Sequence, residues 1–270
     1  MYIHLFVGIS WKVQTHYLLF SLHCKLEAKV IKDIVKEILN KPSYMLFIDT
    51  KELVGITSRV EKLMTHLAIK SNGVRLIGIR GMGGMGKTAL GRVVYKMISN
   101  QFEAYSFISN VREVYEKYGI LQLQQTLLND LLTLRDIKVK DVDDGVFMIK
   151  NSLRHKKILL VLDDVNELDQ LNKLVAKHDW LGPGSRVIIT TRDVHLLMSY
   201  KVDDIYEAEG LSNEEAFHLF NSKAFGEEHP PKDYLELCQT FIDYANGLPL
   251  AIEVLGSFMY NRVRMNGRVI

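Results

Sequence analysis

The sequence predicts an α/β fold: a parallel sheet with helices on both faces, followed by a small helical unit. Three observations carry that expectation. Short apolar runs recur along the chain, helical stripes lie between them, and strand signals stop after Glu207. The runs are continuous rather than alternating apolar with polar, which is how strands covered on both faces read, because neither side meets water. Strand then helix, repeated, folds as a parallel sheet with right-handed crossovers.

Taken in order, Leu26, Val30, Ile31, Ile34, Val35, Ile38 and Leu39 recur at helical spacing until Lys41-Pro42 ends the pattern, predicting a linker helix over residues 25–40. Strands are expected at 76–79, 106–111, 158–162, 187–190 and 205–207. Leu90, Val93, Val94, Met97 and Ile98 form one helical stripe, and residues 121–134 and 168–175 form two more. Beyond Glu207, Ser212 and Glu215 make a capping box ahead of Ala216, Phe217, Leu219 and Phe220. A second amphipathic helix over 234–245 is closed by Gly247. The expected organisation is an N-terminal extension with the linker helix (1–50), a nucleotide-binding domain (51–208), a helical unit (209–262) and a tail (263–270), with no internal repeat.

The 270 residues, 47% hydrophobic and 24% charged, leave room for one large or two small domains. A net charge of +2 from 34 basic and 32 acidic residues argues against nucleic acid or an anionic membrane as the main partner. Cys24 and Cys238 lack the spacing of a disulfide framework or zinc site, so a reducing cytosol and buried, inert thiols are expected. The apolar N-terminus has no basic leader or small-residue cleavage site, and nowhere do eighteen apolar residues run together. A cytoplasmic protein, or one shared between nucleus and cytoplasm, without a membrane span is expected. His155, His178, His195 and His218 show no metal-ligand spacing, and Trp180 reads as a residue packed under a loop.

Gly81-Met82-Gly83-Gly84-Met85-Gly86-Lys87-Thr88 matches G-x-x-x-x-G-K-[ST] and lies between an expected strand and an expected helix, where that motif works. The fold class therefore narrows to a P-loop NTPase. Glycines let the loop curl so that its backbone N–H groups converge on phosphates, and the helix opening at Lys87 and Thr88 and continuing through Ala89 presents its positive end to the same anion. Lys87 reaches the β and γ phosphates, and the Thr88 hydroxyl suits Mg²⁺, which prefers hard oxygen ligands. The ligand expected is an adenine nucleotide, ADP or ATP, with Mg²⁺.

Residues 158–162 deliver Asp163 and Asp164 to the carboxyl edge of the sheet, where ligands sit in open α/β folds. Asp163 is assigned to Mg²⁺ through water. Asp164 is assigned to the attacking water, but it is one methylene shorter than the glutamate of many fast ATPases, so at most slow hydrolysis is expected. Gly184-Ser185-Arg186-Val187-Ile188-Ile189-Thr190-Thr191-Arg192 is a further strand with polar residues at its end, and Arg192 is placed to distinguish ATP from ADP at the γ-phosphate.

Together, residues 81–88, 159–165, 184–193 and Gly247-Leu248-Pro249-Leu250-Ala251 resemble the NB-ARC domain of plant intracellular immune receptors, over roughly residues 25–260. Phe107-Ile108-Ser109-Asn110-Val111-Arg112-Glu113, the Asp-Asp-Val strand end and the linker helix resemble the subclass that carries an N-terminal TIR domain. The resemblance implies a regulatory switch, inactive with ADP and activated on exchange for ATP, with self-association or other immune receptors as partners and hydrolysis as the reset. It also implies that the helical unit is an ARC1-like subdomain, that the backbone around Val54 in Leu53-Val54-Gly55 meets the adenine, and that Pro249 packs against the nucleotide.

Departures from the family pattern are Arg80, where an aromatic is usual, and Ala89, where a second threonine is common. The chain carries no Met-His-Asp motif, second helical subdomain, TIR domain or leucine-rich repeats, so a truncated form is expected. Two other readings stay open: a general P-loop ATPase or kinase with a helical substrate or oligomerisation domain, and an interaction fragment that no longer switches.

Overall fold

A computed structural model describes residues 53–132, 138–175, 178–226 and 234–266. The linker helix expected at 25–40 and Cys24 lie outside the described residues. Five strands, β1 (Arg75–Arg80), β2 (Ala104–Ile108), β3 (Ile158–Leu162), β4 (Arg186–Thr191) and β5 (Asp204–Glu207), form one parallel sheet in the order β2-β3-β4-β1-β5.

The unbroken apolar runs are explained by burial from both sides. Every residue of β3 and β4 is buried. Ile158, Leu160 and Leu162 enter one core, with α4 (Ile120–Leu132), α5 (Val142–Leu153), α6 (Leu168–Leu174) and α7 (Val194–Tyr200). Leu159 and Val161 enter the opposite core, with α1 (Ile56–Leu67) and α2 (Lys87–Ile98). The period-2 projection of a strand thus assigns alternate residues to opposite layers, and each fully buried Leu or Ile contributes about 1.5–3 kcal/mol.

β2 departs from expectation. It runs Ala104–Ile108, and Val111 opens α3 (Val111–Tyr118) instead of ending the strand. Asn110 takes a left-handed conformation with φ 53, which turns the chain into the helix. As an edge strand β2 alternates, with Ala104, Ser106 and Ile108 buried and Tyr105 about half exposed.

The helical unit consists of α8 (Asn213–Phe225), α9 (Leu235–Ala245) and α10 (Pro249–Asn266). The capping box at Ser212 and Glu215 is present in both directions. Phe220 and Phe241 stack with ring centroids 5.8 Å apart, and Gly256 lies so close to α8 that a Cβ there would come within 2.8 Å of Lys223 Cβ. Cys238 is fully buried, and burial pushes its thiol up to about 11, as expected for an inert cysteine. Among the described residues no helix is long and apolar enough to cross a membrane.

Two arginines bind α1 into this framework. Arg186, fully buried at the start of β4, donates all five guanidinium hydrogens to carbonyls: Nε to Leu67, Nη1 to Gly73 and Ser185, and Nη2 to Ala68 and Ser71. Two of these acceptors end α1, where the helix dipole is negative. Arg59, on α1, instead joins the sheet to the helical unit. It pairs with both carboxylate oxygens of Glu215 at 2.9 and 3.0 Å and also donates to the carbonyls of Gly55, Glu209 and Gly210. Gly55, at φ 69, lies directly beneath this pair, where a side chain would collide with both partners.

Candidate nucleotide site

The loop at residues 81–86 leaves β1 and enters α2 at Lys87. Gly84 and Gly86 lie at φ 83 and 80, the left-handed region that favours glycine. At Gly84 space is limiting as well, since a Cβ would fall 2.8 Å from Leu250 Cβ. Lys87 is buried, and its Nζ donates to the Gly81 and Met82 carbonyls at 2.7 and 2.8 Å. Burial, with Arg192 as a second influence, holds its pKa below the ordinary lysine value, while Asp164 and Asp163 oppose that shift.

Parallel register brings the polar strand ends together. Leu162 stands opposite Ile189 and Arg80 opposite Thr191, so Asp163 emerges beside Thr190 and next to the loop after β1. Asp163 is buried, and its Oδ1 accepts from the Thr88 hydroxyl at 2.8 Å and the Thr190 hydroxyl at 2.7 Å. Thr190 Oγ1 in turn accepts from the Asp164 N–H at 2.9 Å. One buried carboxylate bridged to a hydroxyl at a helix start is a hard-oxygen pair, the donor set with which a protein holds Mg²⁺ when phosphates and water supply the other ligands. No cluster of three or more His, Cys, Asp or Glu suited to a metal occurs among the described residues.

Asp164, at φ 58, turns its carboxylate between two arginines. Its Oδ2 is 2.8 Å from Arg112 Nη2, and its Oδ1 is 3.8 Å from Arg192 Nε. Arg192 is more than half exposed, and its guanidinium lies over the P-loop, 3.2 Å from where a Cβ on Gly83 would stand. Pro249 occupies the first position of α10, which suits its missing N–H, and the next residue, Leu250, donates its N–H to the Gly84 carbonyl at 3.3 Å.

The structure therefore gathers Gly81, Gly83, Gly84, Met85, Gly86, Lys87, Thr88, Ala89, Asp163, Asp164 and Arg192 at one sheet edge, with the start of α10 against the loop. Val54 is half-buried in the turn before α1. Three contributors lie in the motif segments but were not among the expected site residues: Arg112 beside Asp164, Thr190 beside Asp163, and Leu250 against Gly84. Arg112 stands within a segment whose resemblance was legible, yet nothing local gives its side chain a partner.

The model of the NB-ARC domain matches residues 56–229. The chain belongs to the NB-ARC family. It is 40% identical over 237 residues to the disease resistance protein RUN1 of Vitis rotundifolia, covering 87% of this chain and 18% of that protein. It is 39% identical over 244 residues to the TMV resistance protein N of Nicotiana glutinosa, covering 88% and 21%. The NB-ARC chain thus spans less than a quarter of the curated relatives it matches. In fold it is similar to Cdc6p of Pyrobaculum aerophilum, with a TM-score of 0.58 at 14% identity over 82% of this chain and 67% of that one. The ORC2 protein of Aeropyrum pernix has a TM-score of 0.52 at 12% identity over 79% and 62%. The P-loop NTPase class is therefore shown both by family and by fold.

Proposed function

We propose that this NB-ARC domain is the ADP/ATP switch module of a plant immune receptor, with Mg²⁺ accompanying the triphosphate. The observation that carries the reading is the placement of Arg192 over Gly83, beside the Lys87, Thr88 and Asp163 cluster. Backbone N–H groups of residues 81–86 and the start of α2 hold the diphosphate, Lys87 neutralises it, and Thr88 with Asp163 holds the metal, which supplies charge neutralisation when bound. Arg192 is the group whose charge responds to a third phosphate. Residues 51–208 form the nucleotide-binding domain and residues 209–262 the ARC1-like unit, with Val54 and Pro249 bordering the base and the phosphate loop.

Hydrolysis serves only as a slow reset. Asp164 already accepts from Arg112 at 2.8 Å, and a carboxylate so engaged is a weak general base. Whole-receptor properties, including self-association, association with other immune receptors and a cytoplasmic or nucleo-cytoplasmic place of action, are parts of the same proposal.

Mass spectrometry of nucleotide released from the purified protein tests the switch directly. Retained ADP, with ATP binding after exchange, is the expected result. An empty site that refuses both nucleotides, or steady-state turnover well above about 1 s⁻¹, would sink the switch reading.

A further inference from the structure

Asp164 presents an electrostatic difficulty for the site just described, and its resolution lies on α3. A carboxylate placed beside the position of a third phosphate repels it, and a carboxylate left with Arg192 as its only counter-charge captures the cation that the phosphate needs. In this chain Asp164 is not left so. Its nearer partner is Arg112, at 2.8 Å, while Arg192 stands off at 3.8 Å with more than half of its side chain in water.

The pairing with Arg112 is fixed by backbone as well as by charge. The first two N–H groups of α3, on Val111 and Arg112, donate to the carbonyls of Asp163 and Asp164 at 2.8 and 3.2 Å. The left-handed turn at Asn110 aims the helix start at the end of β3, and the Thr190 hydroxyl holds the Asp164 N–H from the other side. Arg112 therefore meets an Asp164 carboxylate whose backbone is held on both sides.

We infer that Arg112 is a specificity-determining residue for the third phosphate: by pairing with Asp164 it neutralises that carboxylate and leaves Arg192 free to engage ATP. It is a positioning residue, acting through Asp164 and Arg192. The inference rests on the reading of the site as one that binds both ADP and ATP.

Calorimetric titration of the purified protein with ADP and with ATP in the presence of Mg²⁺ tests it. Arg112→Ala should weaken ATP by about three- to fivefold, the range of a partly exposed ion pair, and leave ADP within about twofold. Arg112→Lys, which keeps the charge, should recover most of the difference. The double substitution Arg112→Ala with Asp164→Asn removes the stranded carboxylate and should restore the ATP to ADP ratio toward that of the unsubstituted protein.

Equal weakening of both nucleotides by Arg112→Ala would mean a purely structural role and would overturn the inference, as would a double variant no better than the single one. If Arg112→Ala does not fold, Arg112→Gln, which keeps the length of the side chain and removes its charge, answers the same question, with thermal melting as the check on folding. If the unsubstituted protein binds neither nucleotide, the functional reading of the site fails instead, and the two failures are distinguishable.

Discussion

β4 opens on Arg186 and is followed at once by Arg192, six residues on, and the two are put to opposite uses. Arg186 is fully buried, with all five donors committed to carbonyls that include the end of α1. Arg192 is more than half exposed and touches one carboxylate loosely, at 3.8 Å. A saturated guanidinium has nothing left to offer a ligand, whereas an unsaturated one poised over a glycine loop does. Residue type is identical at the two positions, so what separates structure from function here is the count of unused donors.

Four substitutions sharpen or break that contrast. The largest effect is expected for Arg186→Met, which removes five hydrogen bonds at once and takes from the buried Leu67 carbonyl its arginine donor: stability should fall by about 3 kcal/mol, read as a lower melting temperature or denaturant midpoint. Nucleotide affinity of the protein that remains folded should hold. A stable Arg186→Met protein would show that the carbonyls find other donors.

Lys87→Ala comes next, and should weaken ADP and ATP alike by at least about tenfold in calorimetry while the melting temperature stays close to that of the unsubstituted protein. Arg192→Ala should weaken ATP by about tenfold and ADP little, with stability changed by no more than about 0.5 kcal/mol. If Arg192→Ala instead lowered stability as Arg186→Met does, the contrast between the two arginines would collapse.

The smallest effect is expected at the joint between sheet and helical unit. Glu215→Gln retains a capping side chain but loses the charge that meets Arg59, and should cost about 1 kcal/mol. The hydrogen bond from Arg59 is the main cause holding the Glu215 carboxyl below its ordinary value. A carboxylate depressed on folding contributes stability that is complete above its unfolded pKa, about 4.3, and is lost as pH falls through the lower native value. Denaturant midpoints measured from pH 7 downward should therefore converge for the two proteins in acid. Parallel curves would mean that the pair carries no linkage.

The carboxyl edge was legible because its chemistry is written in contiguous residues: 81–88 for the loop, Asp163 and Asp164 after an apolar run, Arg192 after another. The doubly covered sheet was legible for the same reason, since burial from both sides leaves its mark along a single strand. What could not be read is whatever depends on residues distant in sequence. Arg59 meets Glu215 across 156 positions, Arg186 meets Leu67 across 119, and Arg112 meets Asp164 only because β2 and β3 are neighbours. The end of β2 was misjudged because Val111 extends an apolar pattern, while the turn that stops the strand depends on the backbone of Asn110, whose side chain gives only a weak left-handed signal. Helices α1, α3, α5 and α7 were not predicted. α3 does carry a stripe, Val111, Val114 and Tyr115, but its first residue also extends the apolar run of β2, which hides the helix start.

Glu215 has one consequence that follows from its two duties. The same carboxylate accepts from the Ser212 N–H, closing the first turn of α8, and from both Nη atoms of Arg59, closing the joint. When the helical unit swings away from α1, Glu215 loses Arg59 and with it one of the two contacts that fix its side chain at the first turn. Amide hydrogens of Ser212 and Glu215 are therefore built-in reporters of that movement: their exchange with deuterated solvent should quicken whenever the joint opens, before any change reaches the core at Phe220 and Phe241.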